Sequence, residues 1–420
     1  MADRSLDLTV EGPILLAAGE SLDSTRTVQA QQSLVLSGLR VIEMSAFIAA
    51  PLAGATLASL GADVIRIDPP GGGIDIDRWP LHEGRSLYWE GLNQGKRSVT
   101  IDTRTSDGQA TAGGLITAAG PGAGILLTNL PIAHWSSYRE LRSRRPDLIM
   151  VAISGDGNGR SEVDYTVNAA LGFPFITGPT DAAGPINHVL PAWDVMTAFL
   201  AVSAILAAER HRRLTGEGQL VEVSLLDVGL AVAGHLGLIG EAALNPEPRE
   251  RSGNYVYGTF GRDFTTRDRR HVMVLALTAR QWHSLSAAAG LTSRLAKLQR
   301  EKGLDFELEA DRWEAREEIG ELLAEWIRER DLAAIREAFE SHRVLWGPYQ
   351  TFKQLLSEDG RASERNPLFA HVDHPGLGRY ITARSPMRFS ALATSPPRAA
   401  PELGQHTTEV LRELGLEGRS

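Results

Sequence analysis

Residues 39–68 read LRVIEMSAFIAAPLAGATLASLGADVIRID. LRVIEM (39–44) is a short apolar run of strand length, PLAGATLASLG (51–61) holds helix formers closed by Gly61, and ADVIRID (62–68) is a second strand. This is a βαβ unit. Outward from it the alternation continues: RSVTIDTR (97–104) predicts a strand, 107–118 a helix, and GILLTNL (124–130) and LIMVAISG (148–155) two further strands. Strands alternating with helices predict an α/β fold, a doubly wound parallel sheet of Rossmann-like type. Ligands in such sheets sit beyond the carboxyl ends of the strands, which marks 46–50, 68–73 and Asn129 as a candidate site by topology alone.

Farther along, a long helix over 195–214 ends at the turn Thr215-Gly216-Glu217-Gly218 and is followed by the strand QLVEVSL (219–225). Composition then shifts. Between 255 and 335 lie a short β segment, HVMVLALT, and charged amphipathic helices such as RWEAREEIGELLAEWIRER, which predict a smaller α+β domain. The tail from 366 is rich in Pro and Gly, with strand-like pieces GRYITARS and MRFSAL expected to return to the first domain. The expected division is an extension over 1–34, a large domain over 35–225, a linker and small domain over 226–345, and a C-terminal return over 346–420.

Composition narrows the chemistry. With 420 residues and 43% hydrophobic content, the chain exceeds what one core holds, so two domains are expected. Against 52 Asp and Glu there are 43 Lys and Arg, a net charge of -9 with no polybasic block, so nucleic acid is not an expected partner. The absence of cysteine removes thiol nucleophiles and disulfides and suits a reducing compartment. Acids from residue 3 onward and a short apolar run at 13–18 do not make a secretion signal, and no stretch approaches the apolar length of a bilayer span. A cytoplasmic protein without a membrane partner is expected.

Several sites fall away on spacing. Gly71-Gly72-Gly73-Ile74-Asp75-Ile76 lacks the third glycine and the following helix of a dinucleotide loop. The run Gly91 to Ser98 is one residue short of a phosphate loop and has Arg97 where the magnesium-binding hydroxyl belongs. His371 and His374 sit beside Pro375 in what reads as a solvated loop, so no metal is expected. No G-x-S-x-G elbow surrounds Ser154. Carboxylates remain: Asp164 in SEVDYTVNAALG, and Asp194 in HVLPAWDVMTAFL just before an apolar helix. Asp194 reads as an N-cap, as a nucleophile kept ionised by the helix dipole, or as both.

The ordered segments LSGLRVIEMS, LNQGKRSVTIDTR, the aspartate of PAWD, AILAAERHRRLTGEGQLVEVSLLD, RSGNYVYGTFGRDFTTRD and PELGQHTTEVLRELG resemble the class III coenzyme A transferases over residues 36–416. The resemblance implies that Asp194 is the acyl-carrying nucleophile, forming a mixed anhydride and then an aspartyl-CoA thioester. It implies CoA contacts at Phe47, Ile48, Ile101, Arg104, Asn129, Leu130, Val163 and Asp164, with Arg104 as a phosphate partner, and no cofactor beyond the CoA thioester. It also implies a homodimer of interlocked chains. Two basic positions usual in the family are Pro69 and Ala133 here, so Lys96 or Arg97 is expected to remake part of the diphosphate contact. The family's racemase branch has a histidine base where this chain has Val163, which argues against proton abstraction. SEVDYTVNAALGFPFITGP, INHVLPAWD, RSLYWEGLNQGKRS and RSGNYVYGTFGRDF are most similar to members that move CoA between the two carboxyls of one C5 dicarboxylate. Asn187, His188 and Arg262 are candidates for its free carboxylate. Transfer between two molecules, as with succinyl-CoA, is the alternative.

Overall fold

The computed structural model describes residues 34–392 and 395–417; all but the last residue of the expected extension at 1–34 lies outside them. Six strands form the main sheet: β1 (Arg40–Met44), β2 (Asp63–Asp68), β3 (Arg97–Thr100), β4 (Ile125–Thr128), β5 (Ile149–Ser154) and β6 (Leu220–Ser224). Their order is β3-β2-β1-β4-β5-β6 and every neighbouring pair is parallel. This is the Rossmann strand order, with the switch point between β1 and β4.

The central strands β4 and β5 read as apolar runs because both faces are covered, while β1 and β2 carry Glu43, Arg66 and Asp68 at their carboxyl ends. Side chains alternate between the two faces: Val41, Val64, Ile125, Leu127, Ile149 and Val151 enter one core, while Ile42, Ile65, Leu126 and Met150 enter the other. The first core is closed by helix α1 (Ala49–Ser59) and the long helix α4 (Ala192–Thr215). Ala49, Ala50 and Ala53 on α1 and Ala198, Ala201 and Ala208 on α4 let the two backbones approach closely. The second core lies under helix α2 (Ser106–Ile116) and a C-terminal helix, Thr407–Glu413, through Val410 and Leu411.

Helix α4 corrects one sequence expectation. By length and composition it is apolar enough to cross a membrane, yet its inner side is packed on α1 and the sheet. Its C-terminus is closed by Gly216 in the left-handed region at φ 79°, donating its N–H to Arg212 O at 2.8 Å.

A third core forms around β7 (Phe260–Thr265), β8 (His271–Ala276) and β9 (Leu345–Pro348), antiparallel in the order β9-β8-β7. Amphipathic helices between 279 and 341 cover it through Trp282, Leu285, Ile319, Leu323, Ile327 and Phe339. The chain then forms the hairpin β10 (Phe369–His374) and β11 (Gly378–Ala383). MRFSAL, expected as a strand, is irregular because it has no neighbouring strand to pair with. His374, expected in a solvated loop, is the buried last residue of β10: it stacks on Tyr380 and meets Glu90 Oε2 at 3.2 Å and Thr382 Oγ1 at 2.9 Å.

The turn after α4 yields a paired prediction. A Cβ on Gly218 would fall 2.1 Å from Leu148 O and 2.4 Å from Asp147 C, both backbone atoms of the strand entry, whereas one on Gly216 meets nothing within 4 Å. Gly218→Ala should lower unfolding free energy by more than about 2 kcal/mol and Gly216→Ala by about 1 kcal/mol, measured by urea denaturation.

Candidate active site

At the switch point the chain leaves β1 through Ser45, Ala46 and Phe47 into α1, and leaves β4 through Asn129. The Asn129 side chain joins the two exits: its Nδ2 donates to Ala46 O at 2.7 Å and its Oδ1 accepts from Ala46 N–H at 2.9 Å. Phe47 has φ 63°, a left-handed conformation that a non-glycine residue holds only against strain. The Asp75 carboxylate fixes it, accepting the Phe47 N–H at 3.0 and 3.1 Å. Behind Asp75 lies a buried ionic cluster. Arg66 reaches Asp75 at 3.2 Å, Asp68 at 2.9 Å and Glu43 at 3.6 Å, and Lys96 Nζ reaches Glu43 at 2.8 Å, Asn93 Oδ1 at 2.9 Å and Pro51 O at 2.9 Å. The surrounding carboxylates hold the Arg66 guanidinium well above its ordinary value in spite of its burial, while burial pulls Lys96 down to about 8.

That cluster corrects the expectation for the missing basic contacts. Lys96 is sealed inside and cannot reach a diphosphate. Arg97 opens β3, at the opposite end of the sheet from the switch point, where it pairs with Asp63 and Glu413 at 2.6 Å each.

The carboxylate positions are set by two helix starts. Helix α3 (Asp164–Ala170) presents Asp164 and Asn168 on one face, since four residues make about one turn. Asp164 Oδ2 accepts the backbone N–H of Trp193 at 2.8 Å and of Asp194 at 3.1 Å, and Asn168 Oδ1 accepts the Trp193 indole N–H at 3.2 Å. The cap of α4 is therefore supplied from another helix. Asp194 is not the N-cap: Pro191 occupies that position without a side-chain bond, and Asp194 stands in the first turn, its carboxylate free of capping. Its ionisation also differs from expectation. Burial, and then the neighbouring Asp164 carboxylate, push Asp194 up to about 7, with Arg78 opposing them.

Asp194 opens into a cleft of about 520 Å³ that also takes in Phe47, Ile48, Asn129, Val163 and Asp164. Six of the residues marked in the sequence are thus brought together. Others are not. Ile101 is buried in the core under α2, and Leu130 lies outside the lining. Arg104 is exposed and holds Asp102 at 2.8 Å. Asn187 accepts from Asn168 Nδ2 at 3.3 Å and His188 rests 6.4 Å from the Trp193 ring, both behind the α4 start rather than on the cleft wall. Arg262 belongs to β7, where it donates to Tyr255 OH at 2.8 Å. Sequence reasoning passed over Arg78, Tyr88 and Glu162 and set Ser154 aside for want of a nucleophile elbow; all four line the cleft. No catalytic motif marks them: Arg78 lies in irregular chain, Tyr88 in the short helix Leu87–Leu92, Ser154 at the end of β5 and Glu162 in the loop before α3.

The model of CoA-transferase family III matches residues 36–407. The chain is 53% identical to 2-methylfumaryl-CoA isomerase of Chloroflexus aurantiacus, an alignment covering 91% of this chain and 94% of that one. It is 28% identical to succinyl-CoA:mesaconate CoA-transferase of Haloarcula hispanica, over 91% of this chain and 96% of the other. Among solved structures, a CaiB/BaiF family protein from Brucella suis superposes with a TM-score of 0.76 at 25% identity, covering 91% of this chain and 100% of that one.

The raised Asp194 makes stability depend on pH. Its acid form is favoured in the folded chain, so its contribution is fully present below the unfolded value near 4 and is lost as pH rises through about 7. Asp194→Asn should therefore be more stable than the parent at pH 8, by up to about 4 kcal/mol, and should converge with it toward pH 4 in urea denaturation series.

Proposed function

The chain belongs to CoA-transferase family III and acts on a CoA thioester, and we propose that it moves coenzyme A between the two carboxyls of one C5 diacid, converting 2-methylfumaryl-CoA to 3-methylfumaryl-CoA. The observation that carries the proposal is Asp194: one carboxylate, held by its own backbone to Asp164, at the wall of a cleft of about 520 Å³ at the sheet's switch point. The 53% identical relative, named for this isomerisation, supports the choice of acyl group.

In this reading the Asp194 carboxylate attacks the thioester carbonyl, the C–S bond breaks, and CoA leaves as thiolate from a mixed anhydride. The thiolate then attacks the aspartyl carbonyl, giving aspartyl-CoA and the free diacid. The diacid's second carboxylate attacks that thioester, and the returning thiolate takes the acyl group at its other end. Atoms balance and Asp194 is regenerated. The Phe47 N–H is taken by Asp75, so in this reading the donors to developing oxyanions are the amides of Ile48 and Ala49, which open α1 without a partner inside the helix and belong to residues that line the cleft. Val163 stands at the cleft where a base would be needed for proton abstraction, and it has no proton-accepting group.

An assembly belongs to the same proposal. Val189 is 93% exposed, and Met196, Phe199 and Leu200 form an apolar face on α4 that one chain leaves open to water. We read this as surface covered in an interlocked homodimer, and the protein as cytoplasmic with neither a nucleic acid nor a membrane among its partners. In sedimentation the protein should run at twice 45.5 kDa and resist dissociation on dilution. An active species at the single-chain mass would contradict this.

The second reading, transfer between two molecules, is favoured by the 28% identical succinyl-CoA:mesaconate relative. Turnover of unlabelled 2-methylfumaryl-CoA in excess carbon-13 mesaconate separates the two. Unlabelled product is expected, because the released diacid returns at a high effective concentration from within the site. Label entering product at the rate of isomerisation would select the second reading.

A further inference from the structure

The cleft holds a cation that, among the described residues, makes no salt bridge with the carboxylates around it. Arg78 is the one basic side chain among the residues that line it, against Asp164, Asp194 and Glu162. Its guanidinium lies over two aromatic faces, 5.0 Å from the Phe47 ring centroid and 5.2 Å from that of Tyr88. Stacking of this kind fixes the plane of the group and leaves its N–H edge open. Among the described residues that edge has no hydrogen bond and no ion pair. Beside it the Tyr88 hydroxyl is buried without a partner, an orphan of the sort that marks a place for a ligand atom.

We propose that Arg78 and Tyr88 together bind the carboxylate of the diacid that is not bonded to Asp194. This rests on the CoA-transfer reading above and deepens it. A guanidinium edge accepts a carboxylate through two parallel N–H···O bonds, and the phenol adds a third donor. The location selects a carboxylate over the CoA diphosphate. Arg78 acts electrostatically on Asp194, as does Asp194 on the Tyr88 hydroxyl, so both donors stand at the reacting end of the cleft. The pantetheine arm holds the diphosphate far from the thioester carbon. A diacid beside Asp164 and Asp194 also needs a cation there, since three carboxylates close together repel.

The same group then serves both halves of the reaction. While Asp194 attacks the carbonyl at C1, Arg78 and Tyr88 hold the C4 carboxylate. After aspartyl-CoA forms, the diacid dianion turns end for end without losing an atom. Its C1 carboxylate is then held, and its C4 carboxylate attacks the aspartyl carbonyl, breaking the C–S bond with the electron pair leaving on sulfur. A site with one nucleophile and one carboxylate clamp treats the two ends of the substrate alike, which is what an exchange of position between them needs.

The test compares the rate of aspartyl-CoA formation, read by acid quench and mass spectrometry, from 2-methylfumaryl-CoA and from (E)-2-methylbut-2-enoyl-CoA, which has a methyl group in place of the distal carboxylate. The parent enzyme should favour the diacid ester. Arg78→Met should reduce that preference by about 100-fold, Tyr88→Phe by about 10-fold, and Arg78→Lys should recover part of it. Equal losses for both thioesters in Arg78→Met and Arg78→Lys would overturn the proposal, since they would place Arg78 on CoA or on Asp194 itself. If the parent forms no aspartyl adduct from either thioester, the reading of Asp194 as carrier falls and takes this proposal with it.

Discussion

The Asp164 carboxylate receiving the N–H groups of Trp193 and Asp194 is the contact on which the site depends. A helix as long as α4 begins with amide donors that have no partner inside it, and Pro191 at the cap position offers no side chain to accept them. Asp164 accepts two of them from the start of a separate helix. In doing so it fixes where α4 begins, and therefore where the first-turn carboxylate points. Asn168 makes the same connection one turn later through the Trp193 indole. Helix α3 thus aligns both the backbone and the side chains of the segment that bears the nucleophile.

The arrangement has an electrostatic cost that the rest of the cleft moderates. Burial, and then repulsion from the second carboxylate at the α4 start, push Asp194 up to about 7, while Arg78 and the helix N-terminus favour its charged form. A nucleophile poised near neutrality is ionised in part and is only weakly hydrated in the cleft, two conditions that suit attack on a thioester. The opposite wall is built differently. There Arg66 and Lys96 neutralise most of the charge of Glu43, Asp68 and Asp75, and Asp75 spends its oxygens holding Phe47 in a strained backbone conformation. One wall is locked by a buried ionic cluster and the other by a borrowed helix cap.

The sheet was legible because its strands are short, apolar-rich runs, unbroken in β4 and β5, and the switch point followed from their alternation with helices. Strand β7, FGRDFT, was not legible: Gly, Arg and Asp interrupt it, and its strand character comes from pairing with β8. Asp164 and Asp194 were visible as carboxylates beside apolar helices. Their relationship was not, since the cap of α4 comes from thirty residues upstream and the usual rule assigns a cap to the local Asp. Lys96 looked available as a loop cation and is buried, because its partners Glu43 and Asn93 converge only in the folded chain. Arg78 and Tyr88 lie in irregular chain and in a short helix, where nothing periodic distinguishes a cleft residue from a surface one.

Covalent passage through Asp194 leaves an isotopic record. When the diacid's second carboxylate attacks aspartyl-CoA and the thiolate then takes the acyl group, one oxygen of that carboxylate stays behind on the aspartate. The direct measurement is tandem mass spectrometry of the enzyme after turnover of 2-methylfumaryl-CoA carrying oxygen-18 in its free carboxylate. The account predicts that the label appears in the Asp194 side chain and is absent from Asp164. Turnover that leaves Asp194 unlabelled, or that labels Asp164 instead, would contradict it.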